Sequence, residues 1–109
     1  MNRDELWSKI STNENYWIGF KNGISMFASV AGVLLRERDA RFMAIYNRAL
    51  SVYNKGMMNN KRLLKQYTEA EMDSNTAEIQ QLIVSGDTYI NEARILQIEM
   101  SNYSNMFAN

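Results

Sequence analysis

The sequence predicts an all-α protein: a long antiparallel helical hairpin of coiled-coil-like character with a short N-terminal helix, gathered into an oligomeric bundle. Three observations lead there. The 109 residues include no Pro and only 5 Gly, so the strongest helix breaker is missing. Apolar residues recur every seven positions along most of the chain, which places them on one helix face. Charge is also divided: residues 37–72 hold seven basic and four acidic side chains, whereas residues 73–109 hold Arg94 against five acids. Two segments of opposite sign are expected to face each other. The length and a 46% apolar content fit a single domain over residues 1–109.

Residues 1–15 form a short N-terminal element. Asp4 to Ile10 reads as an amphipathic turn or two with Leu6, Trp7 and Ile10 on one side, and Ser11-Thr12-Asn13-Glu14-Asn15 reads as a loop or cap. Residues 16–72 form the long helix. One row runs through Ala28, Leu35, Phe42, Ala49, Gly56, Leu63 and Ala70, and a second through Ile45, Val52, Tyr46, Tyr53 and Tyr67. The tyrosines are expected on the intramolecular seam. The pattern weakens at Arg38-Asp39 and again at Asn59-Asn60.

The stretch from Met72 to Thr76 is the expected bend, because Ser74 or Asn75 can cap a new helix and Glu78 suits its positive end. That second helix covers residues 74–108. Its rows are Ile79, Gly86, Ala93, Met100 and Phe107, beside Leu82, Tyr89, Leu96 and Tyr103. Gly86 costs roughly 1 kcal/mol against Ala inside a helix, which marks a kink or a close helix contact. Reversal near Asp73 brings Lys61 towards Asp87, Lys55 towards Glu92 and Arg48 towards Glu99. Each such exposed pair is worth about 0.2–1 kcal/mol, so charge selects the register and the apolar seam supplies the energy.

Between Trp17 and Leu35 the only charge is Lys21, and Ile24 to Leu35 is an unbroken run without charge. A membrane span needs about 20 mostly apolar residues, so the run is better suited to burial in protein. As single helices, Asn22 to Glu71 would extend about 75 Å and Thr76 to Ala108 about 50 Å. The longer rod then overhangs at its apolar end, and something must cover it: the N-terminal element, a second copy, another protein or lipid. The expected assembly surface is Ile24, Phe27, Ala28, Ala31, Gly32 and Leu35. The alternative is a membrane-inserting or membrane-leaning component, with Trp17 and Phe20 as anchors near the interface.

Nothing in the composition points to catalysis. His and Cys are absent, which removes the usual general base and the usual thiolate chemistry. No cofactor or metal is expected; Asp73-Ser74-Asn75 lacks the Gly and terminal Glu of a calcium loop. The basic stretch Lys55 to Lys65 is the candidate for a nucleic-acid-binding or inhibitory function, and the acidic last helix is expected to neutralise it. Acids at the N-terminus, MNRDELW, do not fit a secretory signal. The expected location is therefore the cytoplasm or a larger complex.

Trp17-Ile18-Gly19 spells W-x-G, and Tyr67 with Glu71 spells Y-x-x-x-E. The pair resembles the marks of the small helical-hairpin proteins exported by type VII secretion. That resemblance implies a helical hairpin with W-x-G at its bend, whereas the bend expected here is at Asp73. A basic helix after a small-residue-rich apolar segment is also similar to some small virion proteins ejected by phages. The function expected from the whole chain is structural: helix-helix association with itself, as a homo-oligomer, or with another helical protein.

Overall fold

A computed structural model describes residues 2–29, 39–68 and 75–106, which form three helices: α1 (Arg3–Ala28), α2 (Ala40–Thr68) and α3 (Thr76–Asn105). No strand occurs among the described residues. The α1 and α2 contacts pair Phe27 with Phe42, Trp17 with Tyr53 and Trp7 with Tyr67, so these helices run antiparallel. Arg48 meets Glu99 and Asn59 meets Leu82, so α2 and α3 are antiparallel too. Lys9 meets Asp87 and Tyr16 meets Gln97, so α1 runs parallel to α3. The result is an up-down-up bundle measuring 53 × 21 × 18 Å.

Each helix is held by a buried row that alternates steps of three and four. On α1 the row is Leu6, Ile10, Asn13, Trp17, Phe20, Ile24 and Phe27. On α2 it runs from Phe42 and Ile45 through Gly56 and Asn59 to Leu63 and Gln66. On α3 it includes Ile79, Leu82, Gly86, Ala93, Leu96, Met100 and Tyr103. This seven-residue rhythm keeps one stripe of each helix turned to the bundle axis. Fully burying each large apolar side chain on it contributes about 1.5–3 kcal/mol.

One helix over residues 16–72 is not what forms. Phe27 stacks on Phe42 with ring centroids 4.6 Å apart, whereas fifteen residues of unbroken helix would separate them by about 22 Å. Helix α1 ends at Ala28, and Asp39 stands outside α2 as its cap, accepting from the backbone N–H groups of Arg41 and Phe42 at 2.9 and 3.4 Å. The long rod is thus two rods. Folding α1 back against α2 buries the aromatic rows of both, which an extended helix would leave in water.

The N-terminal element is also longer than its sequence pattern indicates. Ser11 to Asn15 lies inside α1, not in a loop. These residue types compete locally for backbone hydrogen bonds and usually end helices. Here the conflict is resolved by tertiary contact, because Asn13 falls in step with Ile10 and Trp17 and its amide is used across the bundle. Asn2 caps the helix, its Oδ1 accepting from Glu5 N at 2.8 Å.

Two glycines of the seven-residue rows are contact points. The Trp17 ring, fully buried, lies directly over Gly56, so a Cβ there would fall within the indole. Gly86 leaves room for Asn59; a Cβ at Gly86 would stand 2.8 Å from Asn59 Nδ2. The expected weak spot in α3 is therefore a close helix approach, within an unbroken helix. Glycine's helix penalty is repaid by packing at these positions.

At the far end, Asp39 also accepts a hydrogen bond from the Tyr103 hydroxyl, tying the start of α2 to the end of α3. That bond holds the Asp39 carboxyl below the usual carboxylate range. Burial, followed by the bond to Asp39, pushes Tyr103 up to about 12.

Two outcomes follow for stability. Gly56→Ala is expected to lose about 1–3 kcal/mol through overpacking against Trp17, whereas Gly19→Ala, which meets nothing within 4 Å, should gain about 0.5–1 kcal/mol from helix propensity; urea titration reads both. Because Tyr103 is pushed up to about 12 in the folded chain, from about 10 when unfolded, its contribution is complete below the lower value and is lost as pH rises through the upper. Thermal melts of wild type and Tyr103→Phe should therefore converge as pH climbs through that window.

Candidate interaction surface

The interior is polar at one level. Asn13, Asn59 and Asn60 are 2%, 7% and 6% exposed. Asn13 Nδ2 donates to Asn60 Oδ1 at 3.3 Å, Asn60 Nδ2 to Ile10 O at 3.1 Å, and Asn59 Nδ2 to Leu82 O at 2.8 Å. Among the described residues every buried side-chain polar atom has a partner. A layer so satisfied reads as a register device, because sliding one helix by a turn would strand amides that cost about 1–3 kcal/mol each to leave unpaired. It offers no free group to a ligand. Among the described residues no three acidic side chains converge as a metal site would need.

The grooves between helices differ in character. Between α2 and α3, Arg48 pairs with Glu99 at 2.9 Å, as the antiparallel register predicts. Lys55 lines the same groove as Glu92, and Arg62 the same groove as Glu78. The acids of α3 thus border the basic stretch of α2, which leaves less of it turned to an outside polyanion. Lys61 is exposed, but Asp87 pairs with Lys9 of α1 at 2.6 Å, a partner that the two-helix register did not contain. Asn75 stands at the start of α3 without capping it; its amide donates to Gln66 at 2.9 Å.

Between α1 and α3, Tyr16 donates its hydroxyl to Gln97 at 3.0 Å, and Arg94 lies over its ring at 5.8 Å. Partial burial raises the Tyr16 hydroxyl above its ordinary range, with Arg94 opposing.

The expected assembly surface is used inside the chain. Ile24 and Phe27 are 4% and 2% exposed, within the cluster that contains Phe42, Met100 and Tyr103. Ala28 is partly buried, and Ala31, Gly32 and Leu35 lie outside the described residues. Trp17 and Phe20, expected as membrane anchors, are each 1% exposed in the same core. Among the described residues no helix is long and apolar enough to cross a membrane. The reason is α1: it supplies from within the chain the cover that a two-helix reading assigns to an outside partner. Tyr46 and Tyr53 do border the core as expected, and Tyr67 borders the second apolar cluster around Leu63.

A different surface is left bare. Gln81, Val84, Thr88, Asn91, Ile95, Ile98, Asn102 and Asn105 step by three and four along the outer side of α3, and all are exposed. None is charged. Val84, Ile95 and Ile98 are 63%, 55% and 62% exposed. The outer side of a bundle helix is ordinarily its charged side, so α3 carries two apolar stripes, one inward and one outward. Sequence reading catches the inner rows and stops there, although the spacing of Val84, Ile95 and Ile98 already sets them on a face of their own.

Other exposed apolar groups are more scattered. Trp7 leans on Tyr67 with centroids 5.3 Å apart, and Ile18 and Met26 on α1 and Met43, Met58 and Leu64 on α2 are also exposed. Trp17-Ile18-Gly19 sits in the middle of α1, not at a bend, and Tyr67 lies on α2 while Glu71 is outside the described residues. No family model, no curated protein and no solved structure matches this chain.

If the chain itself makes no use of the outer stripe, Ile98→Lys should change folding stability by no more than about 0.5 kcal/mol. Leu96→Ala, two residues away but 2% exposed, should cost about 2–5 kcal/mol. Paired denaturant titrations at low protein concentration measure the contrast.

Proposed function

We propose that this protein is a non-catalytic assembly component that works by laying the outer side of α3 against another helix. The observation that carries the proposal is the eight-residue uncharged stripe from Gln81 to Asn105, with three aliphatic side chains more than half exposed. Scattered surface apolar residues are ordinary, but three exposed β-branched aliphatic side chains on one uncharged face of one helix form a patch of the kind that interaction sites have. The rest of the bundle supports this use of α3. Its inner row is locked by packing and by the asparagine layer, so the outer row is presented on a rigid element, and little ordering cost attaches to binding.

The stripe also states what kind of partner fits. Aliphatic side chains interspersed with uncharged polar ones accept a second helix with its own uncharged stripe, packed side by side at about 8–10 Å between axes. The membrane alternative gains no comparable feature, since its anchors Trp17 and Phe20 are core residues. The nucleic-acid alternative is opposed by Glu78 and Glu92 beside Arg62 and Lys55.

The test is photo-crosslinking in cells that make the protein. Benzoylphenylalanine in place of Thr88, on the stripe, is expected to give one discrete protein adduct. The same group in place of Asn54, on the outer side of α2, should give none. Adducts at Asn54 with none at Thr88 would refute the assignment of the surface.

A further inference from the structure

We infer that the outer stripe of α3 pairs with the same stripe of a second copy, antiparallel, about a twofold axis passing close to Asn91. This rests on the assembly reading above and names its partner. The argument is charge complementarity along the flank that borders α1. Within the stripe's span that flank carries two charges, Asp87 and Arg94. They lie four residues before and three after Asn91. When two identical helices meet antiparallel, each flank faces its own copy. A twofold near Asn91 then sets Asp87 against Arg94 of the second copy, and Arg94 against its Asp87. Both are exposed in the single chain, where Asp87 also pairs with Lys9 at 2.6 Å and Arg94 lies over the Tyr16 ring.

The same axis matches the stripe to itself. Val84 and Ile98 are equidistant from Asn91, so Val84 of each copy faces Ile98 of the other, and Ile95 falls at the level of the other copy's Thr88. Asn91 meets Asn91, a pairing that fixes helix register where an apolar pair would allow sliding. The parallel arrangement sets the Asp87 and Arg94 flank against the opposite one, whose charges are Glu78, Glu92 and Glu99. There the attraction of Arg94 to an acid is offset by the repulsion of Asp87, whereas the antiparallel pair satisfies both. On that second flank the antiparallel pair brings Glu92 near its own copy. Lys55 lines the same groove as Glu92, and Glu99 is already held by Arg48, so the acids there have cations beside them. One face of a single helix makes a small interface, so the dimer should be reversible and concentration-dependent.

The absence of Cys makes disulfide trapping clean. Sedimentation equilibrium of the wild-type chain should rise with concentration from 12.7 kDa towards twice that mass. Arg94→Asp and Asp87→Arg should each weaken dimerisation about tenfold, because each replaces two attractions by repulsions. Mixed in equal amounts, the two variants should form a heterodimer of wild-type affinity. Because both residues also contact α1, disulfide trapping supplies a readout that leaves those contacts intact. Oxidised Asn91→Cys should run as a dimer, and Val84→Cys mixed with Ile98→Cys should give chiefly the mixed disulfide. Same-residue disulfides at position 84, or a heterodimer no tighter than either variant alone, would overturn the antiparallel pair. A wild-type chain monomeric at every concentration, with Thr88 adducts to a different protein, would overturn the dimer and leave the assembly reading standing; no adduct at Thr88 would remove both.

Discussion

The indole of Trp17 seated on Gly56 is the contact on which the rest of the architecture depends. It fixes how near α1 and α2 approach, and it does so at a position where any side chain on α2 would force them apart. One helical turn away, Asn13 joins Asn60, and Asn59 reaches across to α3 beside Gly86. A large apolar ring against a glycine and a satisfied amide layer against another glycine set both spacing and register. Loss of either would leave two smooth apolar rods free to slide by a turn.

That constraint decides what is inside and what is outside. Because α1 is locked along α2 and α3, Phe20, Ile24 and Phe27 meet Phe42, Met100 and Tyr103 within one chain, and the core closes without help. The Asp39–Tyr103 bond finishes the far end, and the Lys9–Asp87 and Arg48–Glu99 pairs line the grooves beside α3. These ion pairs are exposed and worth little individually; they choose among arrangements that the core makes possible. With the inner faces spent, the outer side of α3 keeps Val84, Ile95 and Ile98 exposed, and the proposed function follows from that face.

Much of this was legible in the sequence, and the failures have a common cause. The helical class, the two rows on α2, the inner rows on α3 and the Arg48–Glu99 pair all follow from seven-residue spacing and the split of charge. Asn59 and Asn60 read as interruptions because polarity alone was visible; burial with every amide satisfied makes them part of the core. Ser11 to Asn15 read as a loop for the same reason, since Asn13 occupies a core position without an apolar side chain. Without that step α1 is not legible as one helix, and without α1 the apolar run from Ile24 onward has no cover within the chain. The chain reversal between Phe27 and Phe42 carries no Pro, and local residue preferences say nothing of an aromatic stack formed across it.

Amide hydrogen exchange across Ser11 to Trp17 addresses the arrangement most directly. If α1 passes unbroken through these residues and packs on Gly56, their amides should exchange as slowly as those of Val52 to Gly56, at the rate of global unfolding. Prompt exchange at Ser11 to Asn15, with protection confined to α2 and α3, would contradict the three-helix account and return the apolar run at Ile24 to the surface.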